Sequence, residues 1–409
     1  MGKQYSYPKE NINILFLENI HKSAAQRLTD EGYHVECLPD SLGPDDLLQK
    51  IANVHVLGIR SKTKVNAEHI KAAKKLLTIG CFGIGTNQVD LNTATEHGVP
   101  VFNAPFSSTR SVAELAIGYV LMLARGMGRC NNKMHSGFWE KSAKGTYEIK
   151  GKTLGVIGYG HIGAQVGLMA EALGMRVVFY DKMKKLPLGN AMPEQDVEAI
   201  LKKADFITLH VPAMQGNKAL ITTKELEMMK KTAFIINLSR GTVVDLEALK
   251  TAVESGTIAG AALDVYPTEP KSNKEEFRCA VTSVDNVVLT PHIGGSTEEA
   301  QLNIGLEVAV SLMKFINEGT TNGAVNFPSL DLSDFPQSHR VLNVHKNEPG
   351  VLKDVNKIVA DLGANVNAQY LSTYKNIGYL ILDIDKNVSD QVKDAIEALP
   401  SNIKTRILY

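Results

Sequence analysis

No charge of either sign is in excess along this 409-residue chain. Lys plus Arg equals Asp plus Glu at 44 each, so no global field draws it to nucleic acid or to a membrane surface. Any anionic ligand has to be held by local groups. Cysteine is scarce: Cys37, Cys81, Cys130 and Cys279 are scattered with no C-x-x-C pair. That pattern speaks against a disulfide framework or a thiolate metal site and fits idle thiols in a reducing cytosol. An apolar signal core is missing from the first ten residues. The longest apolar helical stretch, Val112 to Ala124, contains Glu114 and is too short to span a bilayer. These absences describe a soluble, cytoplasmic protein with no metal, no nucleic-acid partner and no membrane contact. Its length calls for two or three domains.

What is there centres on Lys152 to Asp181. Leu154 to Ile157 is a short apolar run suited to a buried parallel strand, and it ends in Gly158, Gly160 and Gly163, the G-x-G-x-x-G spacing. The three glycines serve a tight turn, close backbone approach to a pyrophosphate, and close helix–strand packing. The helix they open points its N–H groups and positive dipole end at the phosphates. Val177 to Tyr180 reads as the next strand, and Asp181 at its end is placed to accept the adenosine ribose hydroxyls. Strand, helix, strand and terminal acid in register predict a dinucleotide site. A carboxylate there repels a 2′-phosphate, so the cofactor is NAD rather than NADP. Lys182, Lys184 and Lys185 follow as a solvated loop.

The first hundred residues alternate strand and helix without the glycine fingerprint. Strands are expected at Ile12–Leu17, Val35–Leu38, Val54–Ile59 and Leu77–Cys81, with helices at His21–Glu31, from Asp45, at Ala67–Lys75 and before Val101. This spacing argues for a separate parallel sheet that holds the substrate. Ser111-Val-Ala-Glu114 reads as a capping box opening a buried helix to Arg125, and Ser296-Thr-Glu-Glu299 as a second one opening a long helix that ends at Gly319. That helix carries the chain back to the first unit, which makes the substrate domain discontinuous and the interdomain cleft two-stranded. Phe327 to His339 reads as a linker. The last seventy residues follow the order β-α-β-β-α-β, the ferredoxin-like pattern.

Three loops after apolar runs carry the remaining chemistry: Asn237 to Gly241, Asp264 to Pro270, and Thr290 to Ser296. Ligands bind beyond the carboxyl ends of the strands in an open parallel sheet, the side on which Arg240, Asp264, Glu269 and His292 are expected. Hydride transfer from an alcohol needs a base for the hydroxyl proton, and histidine titrates in the useful range. A carboxylate beside it orients the ring and raises its pKa. A planar guanidinium binds both oxygens of a substrate carboxylate.

Four motifs, Gly-Tyr-Gly-His-Ile-Gly, Asn-Leu-Ser-Arg-Gly-Thr-Val-Val-Asp, Ala-Leu-Asp-Val-Tyr-Pro-Thr-Glu-Pro and Leu-Thr-Pro-His-Ile-Gly-Gly-Ser-Thr, together resemble the D-isomer-specific 2-hydroxyacid dehydrogenases. The likeness extends along nearly the whole chain to the short bacterial type, which carries a C-terminal amino-acid-binding ACT module. It implies that His292 is the acid–base, Glu269 its partner and Arg240 the carboxylate anchor. Around the cofactor it implies Gly158, Gly160, His161, Ile162, Gly163, Asp181, Leu238, Ser239, Arg240, Asp264 at the nicotinamide end, and His292, Ile293, Gly294 and Gly295. Arg60 and Ser61 resemble the family's substrate-anion contacts, Gly83-Ile84-Gly85 its carboxylate cradle, and Trp139 and Lys141 residues that reach a neighbouring active site. His345, Asn347 and Asn365 resemble its effector contacts, converging on a small amino acid. Two positions depart from the pattern: Ser108 stands where relatives carry asparagine, and Gln337-Ser-His-Arg340 lacks the paired glycines of some relatives.

The expected architecture is α/β. A Rossmann-type NAD-binding domain spans 108–296, a discontinuous flavodoxin-like substrate domain 1–107 and 297–330, a linker 331–338, and a βαββαβ ferredoxin-like (ACT) regulatory domain 339–409. The resemblance implies NAD-dependent oxidation of 3-phospho-D-glycerate to 3-phosphooxypyruvate, the entry to L-serine synthesis, with L-serine as inhibitor and a homotetrameric assembly. Two other readings stay open: a reductase of another 2-oxoacid such as 2-oxoglutarate or hydroxypyruvate, and an NAD(H)-sensing corepressor-like binding protein.

Overall fold

A computed structural model describes residues 7–214, 216, 218–270, 274–332 and 338–409. The chain divides into two compact units, one made of Met1–Ser107 with Gln301–Tyr409 and the other of Ser108–Ala300. Among the described residues no single helix is long and apolar enough to cross a membrane.

The first unit opens with β1 (Asn13–Phe16), β2 (His34–Cys37), β3 (Val56–Ile59), β4 (Thr78–Cys81) and β5 (Val101–Asn103). They form a parallel five-stranded sheet in the order β2-β1-β3-β4-β5. This is the flavodoxin-like winding; its inner strands are apolar runs, while the edge strand β2, His34-Val-Glu-Cys37, is mostly exposed. Alternate residues feed two cores. Ile14, Phe16 and Val56 pack on one face with Ile304, Val308 and Leu312, while Leu15, Leu57 and Ile79 pack on the other with Leu47, Ile51 and Ile70.

The second unit contains β6 (Thr153–Ile157), β7 (Arg176–Tyr180), β8 (Met192–Pro193), β9 (Phe206–Leu209), β10 (Phe234–Asn237), β11 (Gly260–Leu263) and β12 (Val287–Leu289). Its seven-stranded sheet runs β12-β11-β10-β9-β6-β7-β8 with every pair parallel. The strand order reverses between β6 and β9, so a crevice opens beyond their carboxyl ends. The helix Thr109–Arg125 begins earlier than the capping box predicts, with Ser108 as its N-cap. Ser111 lies inside the helix and bonds Thr297 Oγ1 at 2.9 Å. Glu114 pairs instead with Arg110 one turn back, 2.6 Å away, an i,i+4 contact that supports the added first turn.

The long helix spans Glu298–Glu318. Its cap is Thr297, whose Oγ1 accepts the Ala300 N–H at 3.1 Å, so the second predicted box is displaced by one residue from Ser296. Gly319 ends it in a left-handed conformation, φ +82°, as a C-terminal glycine does. The tail then forms β13 (His339–Lys346), β14 (Val366–Tyr374), β15 (Ile377–Ile384) and β16 (Asn402–Leu408), an antiparallel sheet in the order β14-β15-β13-β16. Helices Val351–Asp361 and Ser389–Glu397 cover one face around Val341, Leu380 and Leu382. Phe327 and Leu332 pack against Leu342, Val344 and Tyr379 on the other.

Part of the expected linker is therefore core, and its residues 333–337, Gln337 included, lie outside the described residues. The tail sheet also closes the end of the long helix. Arg340 Nη1 donates to the Glu318 carbonyl at 2.9 Å and Tyr379 Oη to the Gly319 carbonyl at 2.7 Å. Arg406 donates to the Phe315 and Ile316 carbonyls while stacking 4.5 Å over the Phe315 ring. Carbonyls at a helix end call for such partners, the Phe315 carbonyl also accepting the Gly319 N–H at 3.0 Å, and cations suit the negative end of the helix dipole.

Arg340 is held in turn by Asp383 through two charge-assisted bonds of 2.7 and 2.8 Å, both side chains buried. Removing one partner leaves an uncompensated buried charge. Asp383→Ala is expected to destabilise the protein by about 3–5 kcal/mol, read as the shift in thermal or urea unfolding.

Candidate active site

The glycine fingerprint lies where β6 turns into the next helix. Gly158 directly follows β6 at φ +94°, and a Cβ there would lie 2.3 Å from the His210 carbonyl oxygen. A Cβ on Gly163 would lie 2.2 Å from the Gly158 carbonyl oxygen, while one on Gly160 would meet nothing within 4 Å. The first and third glycines thus permit close packing and the second faces open space. The helix His161–Ala172 starts immediately after Gly160, which provides no side-chain cap. Ile162 packs against the core, and Asp181 follows β7 directly, its Oδ1 accepting the Met183 N–H at 2.9 Å.

His210, which no motif singled out, sits against Gly158 at the end of β9. Its Nε2 bonds Thr208 Oγ1 at 2.9 Å, its buried Nδ1 has no hydrogen-bond partner, and burial lowers its pKa to about 4. A neutral imidazole with an orphaned nitrogen beside a side-chain-free cradle fits a bound dinucleotide.

His292 and Glu269 lie together beyond β11 and β12. His292 Nδ1 and Glu269 Oε2 are 2.9 Å apart, and Glu269 Oε1 accepts the Tyr266 N–H at 3.3 Å. With Nδ1–H donating to the carboxylate, Nε2 is the basic nitrogen. The hydrogen bond to Glu269 raises the His292 pKa above that of an ordinary imidazole; burial opposes it, and the charges of Glu269 and Asp264 add to it. Burial pushes the Glu269 carboxyl up, but His292, the Tyr266 N–H and Arg240 outweigh it and hold it low.

His292 itself is left-handed, φ +55°, an uncommon conformation for a non-glycine residue that its surroundings must support. Asp264 does so. This buried carboxylate accepts the Thr290 hydroxyl at 2.5 Å, the Ile293 N–H at 2.8 Å and the Gly294 N–H at 2.8 Å. Thr290 also bonds Tyr119, a tyrosine pushed up to about 12, chiefly by burial.

The other loop is stapled by Asn237. Its Oδ1 accepts the Ser239 N–H at 3.0 Å and hydroxyl at 2.8 Å, and its Nδ2 donates to the Arg240 carbonyl at 3.0 Å. Leu238 and Ser239 are buried by this turn, and Arg240 emerges from it, its pKa lowered by burial and raised by Glu269. Asn237 and Thr290 stand inside quoted motifs and were legible as neighbours. Tyr119 comes from a helix 171 residues away from its partner, and no sequence signal marks it.

In the first unit, Arg60 and Ser61 follow β3, and Gly83, Ile84 and Gly85 follow the adjacent β4. The Ile84 carbonyl accepts Asn103 Nδ2 at 2.7 Å and the Gly83 carbonyl the Ala104 N–H at 3.0 Å. In the second unit Lys141 is exposed and Trp139 is 81% exposed.

His345, Asn347 and Asn365, expected to converge on a small amino acid, do not meet within one chain. His345 and Asn347 stand at the Gly378 end of the tail sheet, where Asn347 Nδ2 donates to the Lys375 carbonyl at 3.4 Å. Asn365 precedes Val366, which pairs with Ile384 at the opposite end. β15 intervenes and its antiparallel register carries the two positions apart. His345 bonds Asn343 Oδ1 at 2.9 Å and burial lowers its pKa.

A family model of the D-isomer specific 2-hydroxyacid dehydrogenase NAD binding domain matches residues 117–294, and one of the AHAS small subunit-like ACT domain matches residues 342–404. The chain is similar to a D-3-phosphoglycerate dehydrogenase of Dictyostelium discoideum, 50% identical over 409 residues and 100% of both chains. It is similar also to one of Escherichia coli strain K12, 48% identical over 407 residues and 99% of each. Among solved structures it resembles a D-lactate dehydrogenase of Aquifex aeolicus complexed with NAD and lactic acid, 26% identical with TM-score 0.67, covering 78% of this chain and 100% of that one.

The raised pKa of His292 makes the pH profile a test of the pair. Alcohol oxidation needs the neutral ring, so its rate is expected to rise with pH through an apparent pKa above the ordinary histidine value, and oxoacid reduction to fall through the same pKa. Glu269→Gln is expected to move both profiles to lower pH, measured as kcat/KM against pH.

Proposed function

The chain belongs to the D-isomer-specific 2-hydroxyacid dehydrogenases, and from that membership we propose that it is the NAD-dependent enzyme that oxidises 3-phospho-D-glycerate to 3-phosphooxypyruvate, the first step of L-serine biosynthesis, acting in the cytoplasm. The observation that carries the reading is the 2.9 Å His292–Glu269 pair on the carboxyl edge of the parallel sheet that also bears the glycine fingerprint. The match of the tail to an ACT domain separates this chain from simple catabolic reductases of the same fold.

NAD would supply a hydride acceptor at its nicotinamide, and Gly158, Gly160, His161, Ile162, Gly163 and Asp181 would hold its phosphate and adenosine side. Leu238, Ser239, Arg240, Asp264 and the His292–Gly295 loop are the contacts assigned to the other side. His292 Nε2 removes the substrate hydroxyl proton, and Glu269 stabilises the imidazolium that results. In the reverse direction the same ring returns that proton. Arg240 anchors the substrate carboxylate through its planar fork, and its positive charge favours the oxyanion character that develops at the carbonyl oxygen. Arg60, Ser61, Gly83, Ile84, Gly85 and Lys141 are assigned to the substrate.

The tail is assigned to feedback control by L-serine. β14 is an edge strand with Val366, Tyr370 and Leu371 exposed, a surface suited to pairing with a second copy. Antiparallel pairing of two such edges would bring Asn365 of one copy to the Lys375 turn of the other, beside Asn347. A shared serine site then needs no convergence within one chain, and with a dimeric catalytic core the assembly is a tetramer.

Adding 3-phosphooxypyruvate to protein and NADH is expected to consume NADH promptly, and no loss of absorbance would reject the enzyme. His292→Ala is expected to lower turnover by about 10²- to 10⁴-fold with NADH binding largely intact; near-full turnover removes the residue from the role. Asn365→Ala is expected to abolish serine inhibition while leaving the uninhibited rate unchanged, and persistent inhibition sinks the shared site.

A further inference from the structure

The loops after β3 and β4 are held by two buried side chains that none of the roles above uses. Glu18 follows β1 with only 7% of its surface exposed. Its carboxylate accepts three backbone N–H groups of one loop: Arg60 at 3.2 Å, Lys62 at 2.9 Å and Thr63 at 2.8 Å. A concave run of amides of this kind is an anion-binding nest. Here the chain fills it with its own anion, so the loop's amides are turned inward and engaged. Glu18 and Asn19 both adopt left-handed backbone conformations, φ +65° and +50°, which non-glycine residues hold only when the surroundings impose them.

Gln88 supplies the second tie. It is buried, and its Nε2 donates to the Arg60 carbonyl at 2.6 Å and to the Gly85 carbonyl at 3.1 Å. Both amide hydrogens are thereby used, one on each loop. The Gln88 carbonyl accepts the Val65 N–H at 2.8 Å, and Val65 and Val89 form a parallel bridge, so the main chain of Gln88 is fixed to the far end of the same loop.

We propose that Glu18 and Gln88 are positioning residues for the substrate, Glu18 by filling the amide nest of the Arg60–Thr63 loop and Gln88 by cross-linking that loop to Gly85. Together they set the spacing between the Arg60 and Ser61 side chains and the Gly83–Gly85 backbone. Because the nest is occupied, an anionic group of the substrate meets side chains at this loop rather than main-chain amides. The inference rests on the assignment of these two loops to the substrate.

The test uses the full-length enzyme with Glu18→Gln, Gln88→Met, Arg60→Ala and the Arg60→Ala/Gln88→Met double variant, each characterised by melting temperature, NADH affinity, kcat and KM for 3-phosphooxypyruvate. Glu18→Gln turns an amide N–H toward the nest, and Gln88→Met keeps the shape and removes both donors. Each is expected to raise KM about tenfold with kcat and NADH affinity within about twofold. In the Arg60→Ala background, Gln88→Met is expected to raise KM by less than about threefold, since residues acting through one another are non-additive. Should Glu18→Gln fail to fold, Gln88→Met decides alone. A Gln88→Met enzyme with unmoved KM, or one that loses kcat and stability together without a selective rise in KM, overturns the proposal. Failure of the underlying assignment is distinct, because Arg60→Ala itself then leaves KM unmoved.

Discussion

The loop that carries His292 depends on one buried carboxylate. Asp264 follows β11 and accepts three donors from the segment after β12. Those bonds turn the chain sharply enough to hold His292 at positive φ. A charge with no such partners would be costly to bury; here its partners are the peptide groups of the loop it organises. Glu269 stands five residues on, so the segment that clamps the histidine's backbone also supplies the group that orients its ring. Ring orientation and pKa are therefore set by the same short stretch of chain.

The first unit uses a carboxylate in a related way. Glu18 gathers amides after β3 as Asp264 gathers amides after β12. In each case a loop beyond the carboxyl end of a parallel strand is stiffened by a buried anion, which suits loops that must present side chains at fixed positions. At the tail the polarity is reversed. Arg340 and Arg406 bring positive charge to the carbonyl end of the long helix, with Asp383 balancing Arg340. The tail sheet is thus tied to the end of the long helix by main-chain acceptors and buried cations as well as by apolar packing. The paired glycines absent from 337–340 would have placed a flexible element next to this anchored arginine.

Periodicity and glycine spacing were enough to read the strand–helix alternation, the fingerprint at 158–163 and the βαββαβ order of the tail, because each is encoded within a few adjacent residues. Helix starts were less legible. Ser-x-x-Glu occurs at 111–114 and begins at 296, yet the caps are Ser108 and Thr297. In the first case the same residue types serve an i,i+4 ion pair and a hydroxyl contact, and the pattern alone does not distinguish these uses. Arg240, Glu269 and His292 could be named because each sits in a loop after an apolar run. Their mutual distances could not.

By itself the sequence determined most of the strand–helix alternation, the glycine turn after β6, and which residue types are available for acid–base chemistry. These follow from side-chain period, backbone permissiveness and intrinsic pKa, all properties of short stretches. Tertiary structure alone decided that Tyr119 reaches Thr290, that His210 closes against Gly158, that Gln88 joins two loops, and that Asn365 stands away from His345. Each of those results depends on which strands lie side by side and in what register, and pairing between distant segments is settled only when the sheets assemble and their shared cores exclude water.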